Sequence, residues 1–349
     1  MKYFYFLVIL FFLSSININA QEDVITDLDR PVGLVFNGND LYFTEANIGK
    51  ISKIDITEAT PTAVAVASGL SSPYTLALNG NDLYIAENTA NKISKIDITA
   101  GGTSIDVVTG LSAPYGLALN GNDLYISLLS GSSGKIIKID ITATTPAASD
   151  VFILTTGVFA TAIAFNGNYL YMGLGTKISK IDITETTPTL TDVVTGLSVP
   201  NGLAFNGNDL YIAEYTANKI SKIDITAGGT STDVVTGLFG PEGLALNGNE
   251  LYIAEIPANK ISKIDIGATA GIDDQNQLDV SIYPNPTSDM VYIGGNYTQL
   301  KVVIYNILGK EVINKSITNS IDISHLENGV YLMKLSDGVK LYTRKVIKN

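Results

Sequence analysis

Apolar residues come in short runs broken by Asn, Gly and Asp, and the pattern returns six times along the chain. Each copy reads Asn-Gly-Asn, one further residue, then Leu-Tyr. The tyrosines are Tyr42, Tyr84, Tyr125, Tyr171, Tyr211 and Tyr252, at spacings of 42, 41, 46, 40 and 41 residues. The long interval holds the Ser-Gly-rich stretch 130–134. In the second copy, Thr75 to Leu78 is an apolar run, and Asn79-Gly80 is a dipeptide suited to positive φ in a tight hairpin. Leu83 to Ala86 is a second run, and Glu87 to Asn91 reads as a loop. Ile93 to Ile98 is a third run, and Asp106 to Thr109 a fourth. Pro114 opens the next copy. Four short strands per repeat with tight turns is the content of one propeller blade.

The runs are nearly continuous rather than alternating, as in strands buried on both faces. Blades sandwiched between neighbours meet that condition. A solenoid is the alternative, but it has no reason to close. The sixth copy ends at Ile266 without a fourth run. At the other end of the chain, Val24 to Leu28 followed by Pro31 matches Val107 to Leu111 followed by Pro114. The pattern therefore predicts a six-bladed β-propeller whose last blade is completed by residues 24–28, paired beside 260–266. That covers an otherwise open edge.

The Pro-x-Gly-Leu-Ala, Asn-Gly-Asn-x-Leu-Tyr-Ile-Ala-Glu and Asn-Lys-Ile pattern resembles the NHL-repeat and SMP-30/gluconolactonase-like propellers over residues 24 to 266. The resemblance implies fold more than activity, because these propellers include both binding proteins and hydrolases.

Ligands of such rings are expected where the loops converge on the channel. The residue after the blade-opening proline varies most among copies: Val32, Tyr74, Tyr115, Thr161, Asn201 and Glu242, with Ala160 replacing the proline in the fourth. These six are expected at the channel mouth. Tyr74, Tyr115, Asn201 and Glu242 form a candidate site that could stack on and hydrogen-bond a sugar or another polar ligand. Loop drift at a solvated rim is the competing reading.

A second candidate set is the glutamates ending the second runs, Glu45, Glu87, Glu214 and Glu255. Ser127 and Gly173 are assigned to that position in the third and fourth copies. Converging carboxylates suit Ca²⁺. Alternatively each glutamate braces its own loop by accepting backbone N–H bonds, since all four precede a loop of equal length ending in lysine. The lactonases that the repeats resemble hold a catalytic metal with a Glu/Asn/Asp set at the channel. Asn201, Glu242 and a strand-end glutamate could imitate it by residue type. Catalysis of the Ser/His/Asp kind is excluded from the repeats, because His325, the one histidine, lies beyond them.

Composition narrows the partners. The net charge of −12 and the evenly spaced lysines argue against nucleic acid. With no cysteine, disulfides and thiolate chemistry are ruled out. Residues 1–20 read as a signal peptide: Lys2, an apolar run from Phe4 to Leu13, and Ile18-Asn19-Ala20 before Gln21. An uncleaved anchor is the other reading, and no later stretch suits a transmembrane helix. A monomer is expected.

The pattern stops after Ile266. The propeller is assigned to 21–268, a linker to 269–279 and a small antiparallel β-sandwich to 280–349. That last segment closely resembles the C-terminal sorting domain of the type IX secretion system of Bacteroidetes. Tyr283-Pro284-Asn285-Pro286, the Tyr305 to Val312 stretch containing Gly309, Gly329-Val330-Tyr331 and the basic Lys345 to Lys348 end carry the resemblance. It implies handling by the type IX machinery and a secreted or outer-surface location. A generic sugar-binding β module is the alternative.

The sequence thus supports a secreted or cell-surface binding propeller for a glycan, peptide or protein ligand. A Ca²⁺-dependent lactonase or esterase acting at the channel is the alternative.

Overall fold

The computed structural model describes residues 21–101, 103–129, 131–267, 280–283, 287–295, 299–306, 310–337 and 341–349. The expected signal peptide and linker lie outside these residues. The chain divides into two compact units, 1–267 and 268–349.

Among the described residues, the first unit is six four-stranded antiparallel sheets and no helix. Blade 2 is typical, with strands Pro73–Asn79, Asp82–Glu87, Lys92–Asp97 and Ile105–Thr109 in consecutive order. The first strands of successive blades touch in cyclic order, and the sixth, Pro241–Asn247, touches the first, Pro31–Asn37, so the ring is closed. The sixth blade takes its outer strand from the N-terminus. Glu22–Ile25 runs antiparallel to Lys260–Asp265, in register Glu22↔Lys263, Asp23↔Ser262 and Ile25↔Ile261.

The expected closure is therefore present, but the paired residues are 22–25 rather than 24–28. Thr26 to Leu28 lead on toward blade 1, and the Leu28 N–H donates to the Asn259 carbonyl at 2.9 Å, as Leu111 does to Asn91. Lys260 pairs with Asp23 at 2.6 Å, the same bond that Lys92 makes to Asp106. The N-terminal strand thus reproduces the chemistry of a fourth strand.

Each second strand is buried on both faces, which explains the continuous apolar runs. Leu41 and Phe43 pack toward blade 6, while Tyr42 packs toward blade 2. Six apolar clusters fill the six seams, and the one between blades 6 and 1 includes Ile25 and Leu28 from the N-terminal segment. Where the first strand carries phenylalanine, the seam tyrosine meets it edge-on, as in Tyr252–Phe36 and Tyr171–Phe205.

The hairpin turn differs in detail from its expectation. Asn37 pairs with Asp40, so the two central residues are Gly38 and Asn39, and Gly38 has φ +59°. Glycine at the first central position is the pattern of a type II′ turn.

In the second unit, a three-stranded sheet holds Val280–Tyr283, Met290–Gly295 and Ser320–Asp322. A four-stranded sheet has the order Glu311–Ile317, Leu300–Asn306, Gly329–Ser336, Leu341–Lys348. Val291 and Ile293 from the first sheet share one core with Val302, Ile304, Met333 and Leu335 from the second. The Tyr331 hydroxyl donates to the Glu327 carbonyl at 2.8 Å, four residues back, and Gly329 opens the same strand. Tyr283 ends the first strand; Pro284, Asn285, Pro286 and Gly309 lie outside the described residues.

Removing residues 21–27 takes away the outer strand's hydrogen bonds, at about 1 kcal/mol each, and the burial of Ile25. The truncated protein is expected to lose about 3 kcal/mol or more in denaturant unfolding. Faster amide exchange along 260–264 would accompany the loss. Unchanged stability and exchange would contradict the clasp.

Candidate functional site

The blade-opening segments come together at the ring centre because glycines let their backbones approach. A Cβ on Gly202 would collide with the Glu242 carbonyl oxygen, and one on Gly243 with that of Val32. In blade 2 the equivalent residue is Thr75, whose hydroxyl instead donates to the Tyr115 carbonyl. The residue before each opening proline is left-handed: Arg30, Ser72, Ala113, Val199 and Gly240 have φ of 57°, 46°, 49°, 55° and 55°. Asn91, Asn218 and Asn259 hold three of these turns by accepting from the N–H groups of Ala113, Gly240 and Arg30. This gives the Asn-Lys motif its role at the seam.

The six variable residues do not behave alike. Val32 is 1% exposed and belongs to the packing. Thr161 donates to the Pro200 carbonyl at 2.9 Å. Tyr74, Tyr115 and Glu242 form one cluster. The two tyrosine rings lie 4.5 Å apart at 44°, and the Tyr115 hydroxyl donates to Glu242 Oε1. Blades 3 and 6 stand opposite each other in a ring of six, so this bond spans the channel. Arg30, which sequence reasoning missed, joins the cluster. Its Nη2 donates to the Tyr74 hydroxyl at 2.8 Å, and its guanidinium carbon is 5.1 Å from the ring centroid. Arg30 precedes an opening proline, and that position next to the variable one was the available signal.

A cavity of about 100 Å³ is lined by residues of all six blades, including Leu34, Leu76, Gly116, Asn201 and Gly243. Asn201 Oδ1 is buried without a hydrogen-bond partner. Burial holds Glu242 above the usual carboxylate range, against the opposing effects of the Tyr115 hydrogen bond and Arg30. Burial, and then the Glu242 charge, push Tyr115 well above the ordinary phenol value.

The strand-end glutamates are held separately in their own blades. Glu214 Oε1 accepts from Ser221 at 2.6 Å and lies 3.4 Å from Lys219, while Oε2 accepts from the Ser198 N–H at 2.9 Å. Glu255 makes the matching contacts with Ser262, Lys260 and the Phe239 N–H, and Glu45 with Ser52, Lys50 and the Asp29 N–H. Glu87 accepts from the Ser71 N–H and faces Lys92, but its Oε1 and the Ser94 hydroxyl, which correspond to the bonded pair elsewhere, remain without a hydrogen bond. The segment braced is thus the one entering the blade, not the loop after the glutamate. The register also corrects the other two copies: Pro114 faces Leu128, and Leu174 ends the fourth blade's second strand, so leucines replace the glutamate there. Ser127 and Gly173 each stand one place earlier, where Ser127 accepts from the Gly116 N–H. Among the described residues no group of three or more acidic, histidine or cysteine side chains is placed to hold a metal. The strand-end glutamate that a lactonase-type set with Asn201 and Glu242 would need is in each case engaged by groups of its own blade.

The family described as Secretion system C-terminal sorting domain matches residues 281–349. Such a domain directs the protein through type IX secretion to the cell surface or the extracellular space. No curated protein matches the sequence. Among solved structures, a gluconolactonase from Xanthomonas campestris is similar with a TM-score of 0.57 at 10% identity, over 70% of this chain and 88% of that one. A virginiamycin B lyase from Staphylococcus aureus gives 0.51 at 18% identity, over 79% and 95%. A chain of a nidogen/laminin complex gives 0.53 at 15%, over 60% and 81%. At these identities the likeness shows the propeller fold alone.

Two predictions separate brace from metal site and test the mouth. Glu214→Ala leaves the Ser198 N–H and Ser221 hydroxyl without their acceptor and should cost about 2–3 kcal/mol, while calcium leaves the wild-type melting temperature unchanged. Calcium-dependent stability lost in this variant would contradict the brace. For Glu242 the folded pKa lies above the unfolded one, so its contribution to stability is full below the unfolded value and is lost as pH rises through the folded value. Glu242→Gln should therefore be more stable than wild type at neutral pH, with the difference vanishing below about pH 4. Melting curves across that range check the sign.

Proposed function

We propose that this protein is a non-enzymatic binding propeller, displayed or released by type IX secretion, that takes a glycan, peptide or protein ligand at the channel mouth. The observation carrying this reading is the Tyr74–Tyr115–Glu242 cluster. Residues that the scaffold leaves free to vary meet there across the channel, with aromatic faces and a buried acid. A concave mouth with few convergent polar groups suits recognition.

The lactonase or esterase reading draws on the similar gluconolactonase and on Asn201 and Glu242 near one channel. It lacks a third convergent ligand, because the strand-end glutamates are engaged in separate blades. A histidine-dependent lyase reaction is disfavoured as well, since His325 lies outside the propeller. The virginiamycin B lyase is inactive when a histidine is replaced by alanine.

The test is metal analysis of the purified protein together with lactone and ester hydrolysis, with and without chelator. Neither stoichiometric calcium nor chelator-sensitive turnover is expected. Turnover abolished by Asn201→Ala would overturn the binding reading in favour of the enzyme.

A further inference from the structure

Glu242 is an exception among the buried acids. Glu45, Glu87, Glu214 and Glu255 each have a lysine within 2.9 to 3.5 Å. Glu242 is 4% exposed, and no ion pair to it is found among the described residues. Arg30 and the Tyr115 hydroxyl favour its ionised form without closing an ion pair, and burial outweighs them. The scaffold does not ask for it, since the other copies carry Val32, Tyr74, Tyr115, Thr161 and Asn201 at this position.

Three further features lie on the blade-opening segments around it, and Gly202, next to Asn201, packs on the Glu242 backbone. Asn201 Oδ1 is a second acceptor lacking a donor, and Asn201 lines the cavity shared by all six blades. Tyr74 and Tyr115 offer aromatic surface beside the acid. Arg30 shows what that surface accepts, for its guanidinium already lies over Tyr74. Two acceptors, negative charge and aromatic faces together call for a ligand that brings N–H donors and positive charge. A neutral sugar would leave the carboxylate with only the Tyr115 hydroxyl and the nearby charge of Arg30 to offset its burial. A calcium ion would need more oxygen ligands and would gain nothing from the tyrosines.

We propose that the channel mouth recognises a cationic nitrogen group, a guanidinium or primary ammonium on a slender stem, with Glu242 as counter-ion, Asn201 as second acceptor, and Tyr74 and Tyr115 as aromatic walls. The proposal rests on the binding reading above and names its ligand chemistry. Arg30 occupies part of the aromatic surface and competes with the incoming cation.

The experiment is calorimetric titration of the purified full chain at neutral pH with arginine amide, its neutral isostere citrulline amide, and cellobiose. Arginine amide is expected to bind at least about tenfold more tightly than citrulline amide, equivalent to one charge-assisted contact. Glu242→Gln, with its fold checked by melting, should abolish that preference. Arg30→Ala should tighten arginine amide binding, and lowering the pH to protonate Glu242 should weaken it. Equal binding of the two amides, a preference surviving in Glu242→Gln, or no binding of arginine amide would overturn cation recognition. Binding of cellobiose alone would do so while leaving a ligand-binding mouth. Chelator-sensitive lactone turnover would remove both readings.

Discussion

A ring of blades is stable only if its last seam is filled as well as the others. Here that seam is made by chain ends far apart in sequence. Glu22–Ile25 supplies the missing strand, Lys260 finds in Asp23 the partner that other blades find in their own fourth strands, and Leu28 enters the core between blades 6 and 1. Every inner strand, and so every side chain at the mouth, depends on that closure. Without it the edge of blade 6 would be open, and the first strands would lose their cyclic contact.

Closure creates a crowded centre. Glycines at Gly202 and Gly243 admit a neighbouring carbonyl where any Cβ would collide, and asparagine side chains hold several of the left-handed residues that enter the blades. On this base the variable side chains share no common structural duty: Val32 is packed and Thr161 bonds the Pro200 carbonyl, while the others differ. The mouth can then carry groups that the fold alone would not favour. Glu242 is the clearest case, a buried acid bonded to a phenol and near Arg30, with no lysine paired to it among the described residues. In the proposed binding reading, this acid is kept for recognition rather than for stability.

The strand-end glutamates show the opposite arrangement. They are buried too, yet each has a lysine beside it, and three of the four have both oxygens hydrogen-bonded. Their repetition reflects a local problem solved the same way in four blades. Leu128 and Leu174 replace that solution with apolar packing where the following loop has a different length. Residue type alone does not place such side chains, because ligation depends on convergence.

The repeat period, the turn residues and the permuted final copy determined the blade content and the closing strand, since each follows from local backbone preference and from burial on both faces. The C-terminal motifs similarly determined the export domain. Only tertiary structure decided which variable residues meet. Tyr115 and Glu242 are 127 positions apart and touch because their blades stand opposite. Arg30 and the entry-loop N–H groups gained their roles in the same way, through contacts between segments whose separation along the chain conceals their nearness in space.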